Sequence, residues 1–240
     1  MPADADVRSL LAQLPPLGEY FTVVLGDPPD RCVPSLAEIY AGAPALRDDI
    51  ELTAARLGTP EHRVAGSILF QGLAARLWSA ALAPALLYGQ ILTLDPATTW
   101  WSPRHGGGRL HTADPRCTAG GDTVEGLCRT VIDQHLTPLV AAVRQQVRLP
   151  EPLLWGNASS ALMGSLGILA SARPGSEPTS WFGIAEALLT EPHLTSTGML
   201  RPAHPGTPPA FVRTSCCLYY RVPGGGLCGD CVLHRDRRSD

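Results

Sequence analysis

The stretch EHRVAGSILFQGLAARLWSAALAPALL, residues 61–87, contains the longest helical pattern in the sequence. Apolar residues recur along it at steps of three and four, which is the spacing of one face of an α-helix. These residues are Val64, Ile68, Leu69, Leu73, Leu77 and Ala80. The pattern follows Thr59-Pro60 and predicts one long helix, from about Glu61 to about Leu87.

The second half of this helix belongs to an uncharged run from Leu77 to Leu94. A helix that spans a membrane needs about 20 predominantly apolar residues, whereas this run contains Ser79, Pro84 and Gln90. We therefore interpret it as a buried helix that ends near Tyr88–Gly89. At most, we expect peripheral contact with a membrane.

Shorter elements on both sides complete a mixed pattern. Helices are predicted over residues 6–14, 35–41, 45–57, 122–148, 155–172 and 181–190. In the second of these, Ser35 and Glu38 have the spacing of a capping box. Strands are predicted at 19–25 and in a glycine-turn hairpin, Thr98–Ser102 with Arg109–Thr112. We predict an α+β fold, predominantly helical, with a small antiparallel sheet and a C-terminal cysteine module.

Length and composition limit the class of protein. The chain has 240 residues, 45% of them hydrophobic, and a net charge of −3. This suits one domain with a core, or one domain with a small appendage. The charge argues against a nucleic-acid-binding protein, which usually has a strongly basic face. The first residues show no secretory pattern, so we expect a cytoplasmic protein. We divide it into a mostly helical domain at 1–201, a Pro-rich linker at 202–210 and the cysteine module at 211–240.

Four of the seven cysteines form the pattern C-C-x10-C-x2-C near the end of the chain. They are Cys216, Cys217, Cys228 and Cys231. Four thiolates are the usual ligand set of a [2Fe–2S] cluster and equally of a structural zinc. Because structural zinc sites typically pair their ligands as C-x2-4-C at both ends, the directly adjacent pair favours the cluster. A metal-free redox C-x-x-C is disfavoured because no βαβ pattern surrounds it.

Residues around these cysteines also suit a cluster. The run Gly224–Gly226, together with Gly229, lets the backbone fold close to inorganic sulfide. Arg213 and Arg221 carry positive charges that would favour the reduced, more negative form of a cluster. The other cysteines are spread widely, and we expect none of them to be a ligand. They are Cys32, Cys117 and Cys128.

The run CCLYYRVPGGGLCGDCVL, residues 216–233, resembles the C-terminal signature of the FhuF-like ferric siderophore reductases. Further likeness lies in residues 63–82, His135–Leu139 and Leu154–Asn157. The resemblance implies that the four cysteines of the run hold a [2Fe–2S] cluster. It also implies a cytoplasmic enzyme that reduces Fe(III) in an imported siderophore, commonly a hydroxamate. The fold would then be completed by a C-terminal [2Fe–2S]-binding module.

The sequence shows neither a Gly-x-Gly-x-x-Gly fingerprint nor a P-loop, so we expect no nicotinamide or flavin site of its own. A separate electron donor, ferredoxin-like or flavoprotein-like, is therefore expected. Two other functions stay open. One is a protein with a structural zinc on the same cysteines, and the other is an Fe–S electron carrier with a different acceptor.

A docking surface for a bulky siderophore needs aromatic walls and a few polar groups. Trp100 and Trp101, with Arg104 and Arg109 beside them, can supply both. The alternative is that one tryptophan packs in the core, the other covers it, and the charged turn is solvated.

Two further segments have alternative interpretations. Trp155-Gly156-Asn157 is either a helix start that faces a ligand or a plain asparagine N-cap. The basic tail from His234 to Arg238 either steers an acidic electron donor or is a solvated terminus.

Overall fold

The computed structural model describes residues 7–28, 30, 32–102, 108–119, 121–173, 178–201 and 209–234. Two long helices, α4 (His62–Tyr88) and α7 (Glu151–Ala172), pack against each other at its centre. Both are apolar on nearly all sides, which is the pattern of a helix surrounded by protein. Small residues are frequent in both sequences and allow the two helices to approach closely.

The predicted end of the long helix is confirmed. Helix α4 stops at Tyr88, and Gly89 follows in the left-handed conformation with φ +63°. Its N–H donates to the carbonyl of Ala85, which satisfies one of the last carbonyls of the helix. Helices α4 and α7 are long and apolar enough to cross a membrane by length and composition. However, 78% of the apolar window in each is buried inside the fold.

The remaining helices surround this pair. They are α1 (Val7–Leu11), α2 (Leu36–Tyr40), α3 (Pro44–Leu57), α5 (Thr123–Leu127), α6 (Thr137–Gln146) and α8 (Pro178–Leu188), with a π-helical stretch, Cys128–Leu136, between α5 and α6. The capping box at α2 is confirmed, because the Glu38 carboxylate accepts from the Ser35 N–H at 2.7 Å and Ser35 Oγ accepts from the Glu38 N–H at 3.3 Å. Helix α7 begins four residues earlier than predicted, so Asn157 lies inside it rather than at its N-cap.

The first sheet contains the predicted hairpin, β3 (Thr99–Ser102) and β4 (Arg109–Thr112), in antiparallel register. Strand β1 (Val23–Leu25) adds to β4 in parallel, so this sheet is mixed rather than purely antiparallel as predicted. The predicted strand at 19–25 is correct only in its second half, since Glu19–Phe21 form a 3₁₀ turn. The guanidinium of Arg76 donates to the Glu19 carbonyl at 3.1 Å and so occupies an acceptor that a strand would need.

Two antiparallel pairs were not predicted. Strand β2 (Gln90–Leu94) pairs with β5 (Pro115–Ala119), and β6 (Gly198–Arg201) pairs with β7 (Ala210–Arg213). The second pair joins the predicted helical domain to the predicted cysteine module, and β7 also packs on α7. Most of the predicted linker, 202–208, lies outside the described residues, and Ala210 already belongs to β7. The cysteine segment therefore starts directly from a strand that is fixed to the core.

Candidate metal centre

The backbone after β7 folds into a compact series of turns that contains all four cysteines. Leu218 adopts a left-handed conformation with φ +70°, which a non-glycine residue rarely does. At Gly225, an added Cβ would lie 2.6 Å from the carbonyl oxygen of Tyr219 and 2.9 Å from that of Val222. Gly225 is thus needed for a close backbone approach, here of the chain to itself.

The four thiols are shielded from solvent to different degrees, and two of them lie close together. Cys217 and Cys231 are buried, and Cys216 and Cys228 are partly buried. The sulfur atoms of Cys217 and Cys228 are 3.7 Å apart. Cys216 Sγ accepts a hydrogen bond from the Leu218 N–H at 3.4 Å. Among the described residues, no group of three or more His, Cys, Asp and Glu side chains has the spacing of a site for a single metal ion.

Among the four thiols, the pKa of Cys217 is lowered, whereas burial raises that of Cys216. Sharing of a proton with Cys228 lowers the pKa of Cys217 to about 6, aided by the Tyr219 N–H and the charge of Arg213. The same sharing raises the pKa of Cys228. Burial raises the pKa of both Cys117 and Cys128 to about 11. Because metals bind thiolates, the lowered pKa makes Cys217 the cysteine best prepared to be a ligand.

Arg213, the last residue of β7, is completely buried, with 0% of its surface exposed. Its Nη2 donates to Asn157 Oδ1, whereas Nε and Nη1 have no hydrogen-bond partner. No carboxylate forms an ion pair with Arg213 among the described residues. A buried cation is costly unless an anion lies near it. Its charge acts on the thiols of Cys216 and Cys217, so the residues present fit an anionic group bound there.

Asn157 connects this arginine to both central helices. Its Nδ2 donates to the carbonyl and to Oγ of Ser67 on α4, each at 2.9 Å. Ser67 Oγ in turn donates to the Cys217 carbonyl at 2.7 Å. We call Ser67, Asn157 and Arg213 the clamp, because they join α4, α7 and β7 to the cysteine segment through buried hydrogen bonds. Next to it, an added Cβ at Gly156 would overlap Ser215 Oγ, so a larger residue there would require the Ser215 side chain to move.

The clamp was not recognised from the sequence. Asn157 in the run Trp155-Gly156-Asn157 was interpreted as an N-cap or ligand-facing residue, but it is a buried residue in the interior of α7. The only signal was that the FhuF-like likeness included residues 63–82 and 154–157, which contain Ser67 and Asn157. No periodicity argument selects either residue, because both of their partners are distant in sequence.

The two arginines named as redox-tuning cations differ in their surroundings. Arg213 belongs to the clamp, whereas Arg221 lies at the surface and donates to the Glu61 carboxylate at 2.8 Å. A paired, solvent-exposed charge acts weakly at a distance. His234 Nε2 lies 3.1 Å from the Cys228 carbonyl, and the basic residues after it lie outside the described part of the chain.

The predicted docking residues are spread over different environments. Trp101 is 4% exposed, and an added Cβ at Gly108 would overlap its ring, so it is a core residue as the alternative interpretation held. Trp100 is partly buried and Arg109 is exposed, and Arg104 lies outside the described residues. A docking role for Trp100, Arg104 and Arg109 stays a prediction.

Single replacement of the four cysteines by serine tests the ligand set. We expect that replacement of any one ligand will abolish or alter the visible absorption of the metal centre, because a serine oxygen is a poorer ligand than a thiolate for iron. The residues to be replaced are Cys216, Cys217, Cys228 and Cys231. Cys32→Ser and Cys117→Ser should keep the spectrum. A protein bleached by Cys117→Ser but not by Cys217→Ser would show that the ligand set is wrong.

Replacement of Asn157 by aspartate tests the clamp. A carboxylate beside Arg213 should offset the buried positive charge and lower the midpoint reduction potential of the centre, because an added electron is then less stabilised. The control is Glu61→Gln, which changes one charge at the exposed partner of Arg221 and should shift the potential less. Redox titration followed by absorption measures both. An equal or smaller shift in Asn157→Asp would contradict the role assigned to Arg213.

Comparison with known proteins identifies the cysteine segment. Residues 213–233 match the family model described as the FhuF 2Fe-2S C-terminal domain. The match starts at the buried arginine of the clamp and includes all four cysteines. No curated protein matches the chain. The domain is one that binds a [2Fe–2S] cluster, which selects the cluster over zinc as the cofactor. This chain therefore carries a FhuF-type [2Fe–2S] C-terminal domain, in agreement with the resemblance seen in its four-cysteine motif.

Proposed function

We propose that this protein is a ferric-siderophore reductase. It adds one electron to Fe(III) in an imported siderophore, of hydroxamate type, and so releases Fe(II) in the cytoplasm. The observation that carries this proposal is the FhuF 2Fe-2S C-terminal domain at residues 213–233. The clamp supports it, because a buried cation beside the cysteines is suited to an anionic redox group.

The reaction balances with one electron and one metal ion. Fe(III) in the chelate becomes Fe(II), and no covalent bond of the chelator breaks. Because Fe(II) carries less charge, its attraction to the anionic oxygen donors is weaker, and protons from water take its place on those oxygens as it leaves. When bound, the [2Fe–2S] group supplies a reversible one-electron store.

The residues of the chain would prepare the site for this chemistry. Cys216, Cys217, Cys228 and Cys231 would hold the cluster. Arg213 would place a positive charge beside the cysteines that hold the cluster, and Asn157 keeps that guanidinium in position. The electron itself comes from a separate donor, ferredoxin-like or flavoprotein-like, since the sequence shows no nucleotide fingerprint of its own.

A second function rests on the same domain. An Fe–S electron carrier with an acceptor other than a siderophore would need the same four cysteines and the same clamp. The family match covers the cluster segment and does not include the long helices α4 and α7. Only the choice of acceptor distinguishes the two functions.

The first test of the proposal is analytical. Protein purified without oxygen should contain about two irons and two acid-labile sulfides per chain, as a [2Fe–2S] cluster on four cysteines requires. Metal and sulfide analysis measures this directly. Stoichiometric zinc without labile sulfide, in protein made with ample iron, would contradict it.

The second test is electron transfer to the substrate. Dithionite-reduced protein, freed of excess reductant, should be reoxidised by a ferric hydroxamate siderophore in a stopped-flow experiment with an Fe(II) chelator present. The chelator removes Fe(II) and draws the reaction forward if the transfer is uphill. Ferricyanide serves as the control oxidant. Equal reoxidation rates with and without ferric siderophore, under strict anaerobiosis, would remove the reductase assignment and leave the electron carrier.

A further inference from the structure

A cleft of about 410 Å³ opens between α4 and α7, and two of the candidate cluster ligands, Cys217 and Cys228, form part of its wall. It follows α4 from Ile68 to Ser79. At a rise of 1.5 Å per residue, this stretch is about 16 Å long, so most of the cleft extends beyond the cysteines. Its volume is within the usual range for small-molecule sites, roughly 300–1,000 Å³.

The cleft is open because its walls carry small residues. Gly72 on α4 and Gly164 on α7 both line it, and an added Cβ at either would meet no atom within 4 Å. Larger apolar side chains stand at its rim and are unusually exposed. These are Tyr20 at 41%, Tyr219 at 38% and Ile168 at 45%. An exposed group of this kind beside a cavity is typical of a binding site.

The lining has a distinct charge pattern. Among the described lining residues, the only ionisable groups are the thiols of Cys217 and Cys228 and the hydroxyls of Tyr20 and Tyr219. The polar groups are neutral, and include Gln71, whose amide donates to Ser160 Oγ at 3.3 Å. Cluster thiolates add negative charge at one end. A neutral ligand can therefore enter without Coulomb repulsion, whereas a polyanion is repelled.

This pattern suits the hydroxamate chelate of the proposed function. Three hydroxamates, each with one negative charge, neutralise Fe(III), whereas three catecholates leave a net charge of −3. Hydroxamate complexes also expose an amide and hydrocarbon shell that suits neutral hydrogen-bonding groups and aromatic rims. We propose that the α4–α7 cleft is the docking site for the ferric hydroxamate chelate. The inference rests on the proposed function.

The position of the cleft gives it a function in the reaction. A chelate bound there would contact a wall formed by Cys217 and Cys228, so its iron would lie near the redox centre. Electron transfer slows steeply with distance, and this placement keeps the path short. The cleft, rather than the hairpin with Trp100 and Arg109, is then the docking surface, in keeping with the burial of Trp101.

Binding is tested separately from reduction by a redox-inert substitute. Gallium(III) has the charge of Fe(III) and similar size, so gallium desferrioxamine, in its cyclic E form that lacks a free amine and gives a neutral complex, is titrated into the oxidised, cluster-loaded protein and followed by calorimetry. Gly72→Leu and Gly164→Leu should each weaken its binding by about tenfold or more by filling the cleft. Gly183→Leu is the matched control, because Gly183 is an exposed glycine of α8 with open space at its Cβ and does not line the cleft. It should bind like the unchanged protein.

The outcomes separate this inference from the proposed function. Unchanged affinity in both cleft variants, with intact cluster spectra, would overturn the docking site. Absence of gallium desferrioxamine binding to the unchanged protein would overturn it too. If gallium desferrioxamine binds in the cleft but ferric desferrioxamine does not reoxidise the reduced protein, the docking site stands and the reductase assignment fails.

Discussion

The hydrogen bond from the buried guanidinium of Arg213 to Asn157 joins the cysteine segment to the centre of the fold. Without this hydrogen bond, none of the three guanidinium nitrogen atoms of the buried Arg213 would have a hydrogen-bond partner. Asn157 Nδ2 in turn donates to Ser67 Oγ, and Ser67 Oγ donates to the Cys217 carbonyl. Each polar group therefore depends on the next, and a connected buried network of this kind favours one arrangement of the chain over its alternatives.

This constraint explains why the cluster domain is not an independent appendage. A segment of 21 matched residues is far too short to bury a core of its own. It obtains its burial from helices that belong to the rest of the chain, through the β6–β7 pair and through the clamp. The surface of α4 and α7 thus has two uses, since one part supports the cysteines and the adjoining part, with small side chains, borders the cleft.

Some features follow from local chemistry and were predictable. The capping box at Ser35 and Glu38 forms because both hydrogen bonds are made within one turn. The end of α4 at Tyr88 follows from the glycine after it, which alone among common residues takes the left-handed conformation at little cost. The predicted N-cap at Asn157 was wrong because a buried, distant arginine competes for the same amide group. The parallel pairing of β1 with β4 also depends on contacts between remote segments.

By itself, the sequence determined the long central helix, the predominantly helical class and the four cysteines, because periodicity and the spacing of ligands are local properties. Only the tertiary structure decided that Arg213 is buried beside them, that Trp101 belongs to the core, and that a cleft lies next to Cys217 and Cys228. Burial and shape arise when segments far apart in the chain meet. Ser67 and Asn157 are 90 residues apart, and Asn157 and Arg213 are 56 residues apart. No local sequence pattern predicts that three such distant residues will share one set of hydrogen bonds.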